Sequence, residues 1–546
     1  MAAVSAWSSE PRSPDLTCPR CCLSHQHRQP LFFSFQPLSS QGLHASVFQP
    51  CSAPFAPARP EAAPLRLRQP ARPPECLRRP EPPPLGPHAL AKQLSPLLYP
   101  SQDQGVRWGI VIATQDGKIL FSRNASGRFI PASNTKLFTT AAAMAELAEL
   151  DHAAAAHPTT LLLAPRRRGA PDLILRGSGD AALSDDAACK TNCLKTLADA
   201  VSAKGLRHIH AIIADDRLFT DERWGDGWSW NNLPTQWGTA VSALTLNDNT
   251  AGLTVQPGPH PGDHPTAHWS APDEGLSLLN QALTVPDGKP GLSLEKKPGD
   301  SRVVLTGTLP LTAAVQTLKI GLDDPALSTA RHLQSLLHDA GIRVQTVQVR
   351  HRLTKTAPDT PTPDTSILTT LPAPDLKEDI RHLLKVSQNL HAELILRRLA
   401  LVHGNGSVED GLAERSRALA ALGLSAAGVA LYDGSGMSPY NRVTPQSVIQ
   451  LLRLADHQPW GADWRDDLPL AAQDGTLAHR FIGTPVADHL HAKTGTLAAT
   501  HSLSGYLRTT RGQTLLIAIF ANDIPDDLPH PTKIMDDLIT AVVKAE

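Results

Sequence analysis

The 546-residue sequence contains no long apolar run, almost no net charge and few aromatic residues. No apolar run reaches the roughly 18 residues that span a bilayer, so we expect no transmembrane segment. The formal net charge is only -1, which gives no indication of a nucleic-acid partner. A chain of this length is expected to form about two to four domains.

Lysine is absent from residues 1–88, which are rich in proline and arginine and hold five of the seven cysteines. This composition cannot bury enough apolar surface to offset the entropy of ordering, so we expect a disordered tail. Leu31–Phe35 is too short to be the apolar part of an export signal, and we find no clear signal peptide. Cys18, Cys21 and Cys22 have half of a zinc-like spacing but no second pair of ligands, so we expect no metal site.

Beyond the tail, strand patterns occur near both ends of the chain. Five strands are predicted, at Trp108–Ala113, Lys118–Ser122, His489–Lys493, Ser502–Thr509 and Thr514–Phe520. Together they predict an α+β domain, in which a five-stranded antiparallel sheet is flanked by helices. This domain would be assembled from residues 89–157 and 378–546, with the segment between them forming an insertion.

The insertion, residues 158–377, has short apolar runs that alternate with turn signals, which favours a largely β structure. Its last part, Thr354–Asp375, is rich in proline and threonine and is expected to be a linker. Cys189 and Cys193 are the only cysteines outside the tail. They could pair in an oxidising compartment, but a spacing of four residues on a helix would give poor disulfide geometry.

A serine and a lysine three residues apart, Ser133 and Lys136, begin an alanine-rich run that predicts a buried helix to Leu150. Residues three apart share a helix face, so the hydroxyl and the amine can meet. Lysine can deprotonate a serine if burial or a nearby cation keeps the amine neutral. Alone this spacing is weak, because about two occurrences are expected by chance, and a capping serine with a surface lysine explains it as well.

Two further motifs follow along the chain. Ser387 and Asn389 lie two residues apart after a predicted helix, where a hydroxyl can relay a proton and an amide can hold a carbonyl. Lys493, Thr494 and a glycine lie on a predicted strand, where an ammonium and a hydroxyl suit a substrate carboxylate. A chance Lys-Thr-Gly is expected only about 0.1 times in such a chain, so this motif is the more specific of the two.

The three motifs, in this order, resemble the signature of penicillin-binding proteins and serine β-lactamases. From about Leu90 to the C terminus, the sequence is most similar to class C low-molecular-mass D-Ala-D-Ala carboxypeptidases and endopeptidases (peptidase family S13), whose members carry a two-domain insertion between the first two motifs. Further matching segments are Gly177–Asp180, Val241–Leu244, Asn247–Asn249, Asp433–Gly436, Asp474–Leu477 and Ser502–Tyr506.

The resemblance implies a periplasmic or otherwise extracytoplasmic enzyme that cleaves peptidoglycan stem peptides without a metal or other cofactor. Ser133 would be acylated, with Lys136 as its base, and Ser387 would pass the proton to the leaving D-alanine. β-Lactam antibiotics would acylate the same serine and act as inhibitors.

The resemblance also implies how the substrate is held. Asn389 would bind a substrate amide, and Lys493 and Thr494 would bind the terminal carboxylate. The backbone N–H groups of Ser133 and Thr496 would form the oxyanion hole. Whether the activity is that of a carboxypeptidase or an endopeptidase is left open by these residues.

Two other functions are compatible with this fold. A class A β-lactamase would need a Glu-x-x-Leu-Asn segment between Asn389 and Lys493, which is absent, and class C β-lactamases have a tyrosine where Ser387 stands. A non-catalytic peptidoglycan-binding protein would have no need of an intact Ser133 and Lys136. A zinc carboxypeptidase is disfavoured because the sequence has no His-Glu-x-x-His.

Overall fold

The computed structural model describes residues 87–102, 104–270, 275–353, 364–528 and 531–546, and these belong to one compact unit. The predicted disordered tail therefore lies outside the described residues, except at its last two positions. The cysteines of the tail and Leu31–Phe35 also lie outside them, as do residues 354–363 of the predicted linker.

Between residues 87 and 157, the described residues form two strands and three helices. These are α1 (Pro87–Gln102), β1 (Arg107–Thr114), β2 (Ile119–Arg123), α2 (Thr135–Ala145) and α3 (Leu147–Ala156). The single helix predicted from Ser133 to Leu150 is wrong in two respects: Ser133 lies in a 3-10 turn before α2, and the helix breaks at Glu146. α2 has ten buried residues whereas α3 has two. The helix thus breaks where the chain leaves the core. Helix propensity alone does not predict this position, because the residues on both sides of it are good helix formers.

The insertion contains twelve strands and two helices in the described residues. They are β3 (Thr160–Ala164), β4 (Asp172–Arg176), α4 (Leu194–Ala203), β5 (His208–Asp215), β6 (Thr250–Gln256), β7 (Thr266–Trp269), β8 (Ser277–Asn280), β9 (Leu283–Val285), β10 (Gly291–Lys296), β11 (Arg302–Pro310), β12 (Gln316–Gly321), α5 (Pro325–Asp339), β13 (Arg343–Arg350) and β14 (Ser366–Thr370). One sheet has the order β13-β5-β4-β3-β14, and its core includes apolar residues of α4 and α5. Two smaller sheets are formed by β6, β7 and β12 and by β8–β11. The boundaries at 158 and 377 stay a prediction.

Two expectations for the insertion are wrong. Ser366–Thr370, within the predicted linker, is strand β14 and pairs antiparallel with β3, because its isoleucine and threonines suit a sheet edge. Cys189 and Cys193 form a disulfide, with their Cα atoms 5.8 Å apart. The pair does not lie on a helix: Cys189 follows the turn at Ala187 and Ala188, and Cys193 is the residue that precedes α4, so the geometric objection does not apply.

The last part of the chain returns to the first domain. Its elements are α6 (Leu376–Val386), α7 (Asn389–His403), α8 (Val408–Ala421), β15 (Val429–Ala430), β16 (Arg442–Val443), α9 (Pro445–Asp456), α10 (Gly461–Asp466), β17 (Leu490–Leu497), β18 (Thr500–Arg508), β19 (Thr514–Asn522) and α11 (Pro531–Ala545). The central sheet has the order β17-β18-β19-β1-β2, and every neighbouring pair is antiparallel. The predicted five-stranded antiparallel sheet is therefore confirmed.

Strand β19 joins the two ends of the chain, because it pairs with β18 on one side and with β1 on the other. Its side chains alternate between two cores, as expected for a strand with both faces covered. Leu516, Ala518 and Phe520 pack with α2 and the α6–α9 helices, whereas Leu515, Ile517 and Ile519 pack with α1 and α11. Burying each large aliphatic side chain contributes about 1.5–3 kcal/mol. This central packing leaves β17 at the sheet edge, where the three motifs meet.

Candidate active site

Ser133 lies in the short 3-10 turn Ala132–Asn134, immediately before α2. Ala132 has a φ of 47°, a left-handed conformation that costs a non-glycine residue roughly 1–2 kcal/mol. Gly436 packs directly against this turn. A Cβ at Gly436 would overlap the Ala132 carbonyl oxygen and lie 3.0 Å from Ser133 N, and the φ of 94° also favours glycine. Close packing therefore holds the strained turn and places Ser133 at the start of α2.

Lys136 is completely buried, and its Nζ is 3.0 Å from Ser133 Oγ. The same ammonium nitrogen donates to Asn389 Oδ1 at 2.6 Å and to the Ser435 carbonyl oxygen at 2.7 Å. Burial lowers the pKa of Lys136 from 10.5 to about 7, against the opposing attraction of Asp433 and Glu393. A substantial fraction of the amine is therefore neutral at neutral pH, and it lies within hydrogen-bond reach of the serine.

The second motif lies at the junction of α6 and α7. α6 ends at Val386, and Ser387 adopts a left-handed conformation with φ 64° that turns the chain into α7. Asn389 is the first residue of α7, and its side chain spans two regions. Its Oδ1 accepts from Lys136, while its Nδ2 donates to the Trp237 carbonyl oxygen at 2.9 Å. Asn389 thereby connects the first motif to the insertion.

The third motif lies on the edge strand β17. Lys493 is fully buried, and its Nζ donates to Ser387 Oγ and to the Thr494 carbonyl oxygen, both at 2.8 Å. Burial lowers the pKa of Lys493, and repulsion from Lys136 lowers it further. The Thr494 hydroxyl is 2.7 Å from that of Thr476, which follows the Asp474-Gly475 turn. Lys493 thus contacts the Ser387 hydroxyl, and the two threonine hydroxyls contact each other beside this strand.

Gly495 is also required by the packing around the predicted nucleophile. A Cβ at this position would overlap Ser502 Oγ and lie 2.9 Å from the Pro131 carbonyl oxygen and 3.0 Å from Ser133 N. The crowding within the protein is sufficient to require glycine here.

These residues line one cleft with a volume of about 830 Å³. The walls include Ser133, Ser387, Asn389 and Thr494–Thr496, so the structure brings all three motifs together at its surface, with Lys136 and Lys493 buried just beneath. Asn231, Asn232 and Trp237 of the insertion form another part of the wall. Thr496 is exposed, with its hydroxyl 3.2 Å from His501 Nδ1.

Several residues of the site had no role assigned from sequence. Thr476 and Ser435 belong to segments that resemble the family. The sequence therefore pointed to these segments, but it did not indicate what the two residues contact. Trp237 contributes a backbone carbonyl oxygen, which no side-chain motif can indicate. Glu393, on α7, had no signal at all.

The chemistry of the site follows from this geometry. A neutral amine beside a serine hydroxyl at the start of a helix is suited to nucleophilic attack on a carbonyl. A model of the D-Ala-D-Ala carboxypeptidase 3 (S13) family matches residues 90–542. The chain belongs to this family. The S13 match thus extends from α1 through the insertion to α11.

Individual S13 relatives agree with this assignment. A D-alanyl-D-alanine carboxypeptidase of Actinomadura sp. (strain R39) is 32% identical over 429 residues, which cover 76% of this chain and 77% of the relative. The penicillin-sensitive carboxypeptidase A of Dictyostelium discoideum is 25% identical over 473 residues, covering 81% of this chain and 88% of that protein.

A solved structure has the same fold. The crystal structure of penicillin binding protein 4 from Haemophilus influenzae superposes with a TM-score of 0.66 at 20% sequence identity, covering 84% of this chain and 98% of that one. A second structure of that protein is a complex with a β-lactam and superposes with a TM-score of 0.63 at 19% identity. At these identities the likeness concerns the fold.

Proposed function

We propose that this chain is a penicillin-sensitive serine D-Ala-D-Ala carboxypeptidase or endopeptidase that cleaves peptidoglycan stem peptides through an acyl-enzyme on Ser133. The observation that carries the proposal is the contact between Lys136 Nζ and Ser133 Oγ, 3.0 Å apart, at the base of a cleft that also contains the other two motifs. Membership of the S13 family gives the reaction class.

In the acylation step, neutral Lys136 accepts the proton of Ser133 as Oγ attacks the carbonyl carbon of the penultimate D-alanine. The oxyanion that develops is stabilised by the backbone N–H groups of Ser133 and Thr496. The start of α2 adds its favourable helix-terminal field at the same point. Lys136 can act in this way because burial lowers its pKa to about 7. A general base is most effective when its pKa lies near the pH at which the enzyme works.

Breakdown of the tetrahedral intermediate requires a proton on the leaving amine. Ser387, whose hydroxyl lies on the cleft wall 2.8 Å from Lys493 Nζ, is proposed to relay it: the hydroxyl gives its proton to the amine and takes up the proton that Lys136 received from Ser133, so that Lys136 is neutral again. In the carboxypeptidase reaction the leaving amine is that of D-alanine. In the endopeptidase reaction it is the side-chain amine of the cross-linked stem peptide. Water then attacks the ester at Ser133 with Lys136 again as base, and the free hydroxyl is restored.

Recognition of the terminal carboxylate is assigned to Lys493, Thr494 and the adjacent Thr476. The two threonine hydroxyls donate hydrogen bonds, and the ammonium contributes charge. A bound carboxylate favours the protonated form of Lys493, which offsets the lowering of its pKa by burial. Asn389 is proposed to hold a substrate amide, alongside its present contacts with Lys136 and Trp237.

The test is intact mass after incubation with benzylpenicillin, followed by mapping of the modified peptide. We expect a long-lived adduct on the peptide that contains Ser133. Ser133→Ala should abolish both the adduct and the release of D-alanine from a peptide ending in D-Ala-D-Ala, a loss of about 10³-fold or more. Ser202→Ala, a matched change on helix α4, should leave both unchanged.

Two other results would overturn the proposal in different directions. An intact antibiotic with no adduct would indicate a peptidoglycan-binding protein without catalysis. A hydrolysed antibiotic with no lasting adduct would indicate a β-lactamase.

An extracytoplasmic location is part of the proposal. It is supported by the disulfide between Cys189 and Cys193, because such bonds persist mainly in oxidising compartments. In the described residues, no helix has both the length and the apolar character needed to cross a bilayer. The location also matches that of the proposed substrate, which is outside the cytoplasm.

The disulfide provides a direct test of the location, because Lys190 lies between the two cysteines. Protein is alkylated in intact cells without reductant and then digested with trypsin. We expect the peptides on either side of Lys190 to remain joined, and to separate only after reduction. Recovery of both cysteines as alkylated thiols would contradict an oxidising location.

A further inference from the structure

Glu393 is a buried carboxylate that the reaction scheme does not use. It lies one turn after Asn389 on α7, so the two side chains share a helix face. Only 3% of Glu393 is exposed. Its Oε1 accepts hydrogen bonds from the backbone N–H groups of Gly434 at 3.0 Å and Ser435 at 2.8 Å, and Oε2 is 3.1 Å from the first of these.

The loop held by these bonds also contacts Lys136, through the carbonyl group of Ser435. The carbonyl oxygen of Ser435 accepts from Lys136 Nζ at 2.7 Å, and the residue is fully buried. The next residue, Gly436, packs against the turn that contains Ser133. Lys136 is therefore held between Asn389 on one side and, on the other, the carbonyl oxygen of Ser435, a residue whose backbone N–H donates to Glu393.

Asp433, at the start of the same loop, has a separate role. Its carboxylate accepts from the backbone N–H groups of Gly436 and Ser438, at 2.9 and 2.6 Å, and from the side chains of Asn441 and Trp228, at 2.8 and 3.0 Å. These bonds shape the loop from within. Glu393 is the group that ties the loop to α7, from which Asn389 also contacts Lys136.

We propose that Glu393 is a positioning residue for the reaction at Ser133: it fixes the loop whose Ser435 carbonyl oxygen holds Lys136 Nζ beside Ser133 Oγ. This inference rests on the proposed function. It predicts that loss of Glu393 displaces the base while leaving the carboxylate-binding groups in place.

The charge of Glu393 provides a readout that loop packing alone would not affect. Burial raises the pKa of Glu393, and the neighbouring Asp433 raises it further. Its ionised form in turn raises the pKa of Lys136. The charged groups that face Glu393 are Asp433 in the loop, Arg397 on α7, Lys136 on α2 and Arg415 on α8. Lys493, on β17, lies beyond Lys136 and repels it.

The experiment compares Glu393→Gln and Glu393→Ala by the rate of acylation with a fluorescent penicillin across pH. Glu393→Ala leaves two buried N–H groups without an acceptor, so the loop should shift and acylation should slow by about 100-fold. In Glu393→Gln, the amide oxygen can accept both bonds, so the rate at high pH should stay within about tenfold of wild type. The acid limb should move to lower pH, because the pKa of Lys136 falls when the nearby negative charge is removed.

Glu414→Gln is the matched control, because Glu414 is also a buried glutamate with hydrogen bonds, on the neighbouring helix α8. It should leave the rate and the pH profile unchanged. If Glu393→Ala does not fold, the pH profile of Glu393→Gln still decides the question. An unshifted acid limb in Glu393→Gln, or Glu393→Ala acylating within twofold of wild type, would overturn the inference. If wild type itself forms no Ser133 adduct, it is the proposed function that fails.

Discussion

Lys136→Met is expected to slow acylation of Ser133 by penicillin by about 10³-fold or more, because the serine loses the amine that accepts its proton. Methionine has a similar volume, so the buried site stays filled. Asn389 Oδ1 and the Ser435 carbonyl oxygen lose a donor, at about 1–3 kcal/mol each. Relief from burying an ammonium offsets this cost, so the variant should remain folded.

The pH dependence makes this prediction specific to the lysine. In wild type, acylation requires the neutral amine and should therefore rise with pH through about 7, the pKa of Lys136. The methionine variant should lack this rise. Stopped-flow acylation between about pH 5 and 9 measures both effects, with thermal unfolding as a check on folding.

Lys195→Met is the control, because Lys195 is an exposed lysine on helix α4 that pairs with Asp199. It should acylate at the wild-type rate and keep the pH profile. If Lys136→Met retained acylation within tenfold and kept the same acid limb, Lys136 would not be the base.

Gly495→Ala is expected to reduce acylation by about 100-fold or more and to lower the free energy of unfolding by about 1–3 kcal/mol. The added methyl would overlap Ser502 Oγ and press on the backbone at Pro131 and Ser133. Ser502 cannot move freely, since its hydroxyl donates to the Pro131 carbonyl oxygen and accepts from Asn134 Nδ2, both at 2.7 Å. The methyl must therefore displace the turn that carries the nucleophile.

Gly291→Ala is the matched control on another strand, β10, where the nearest atom to an added Cβ is Thr308 Oγ1 at 3.9 Å. It should leave acylation unchanged. Denaturant unfolding measures the stability of both variants, and penicillin acylation measures the site. A Gly495→Ala enzyme with wild-type acylation would show that the turn at Ser133 tolerates displacement.

Local sequence patterns were sufficient to predict the central sheet, because its strands are regular and residues typical of turns lie between them. The continuous apolar run of β19 and the alanine-rich helix after Ser133 are both recognisable from residue type. The same reasoning failed at Glu146, where α2 leaves the core without a glycine or proline. It also failed at Ser366–Thr370, because the composition of a proline-rich window concealed five residues that complete a sheet edge.

The disulfide illustrates a different limit. The spacing of Cys189 and Cys193 was judged on a helix, and the conclusion depended on that assignment. In the folded chain, α4 begins only at Leu194, so both cysteines lie before it and their Cα atoms are 5.8 Å apart. Because neither cysteine lies within the helix, the objection to the bond does not hold.

The sequence by itself determined the family, the antiparallel sheet and the residues of the three motifs, because each of these depends on residue types and spacings within short segments of the chain. Only the tertiary structure decided how these residues act on one another. Burial by distant segments lowers the pKa of Lys136 to about 7, and two of those segments place Asn389 and Ser435 against its Nζ. Ser435 is held in turn by Glu393, 42 residues away in sequence. Burial and contacts of this kind arise from packing between remote segments, which no local pattern encodes.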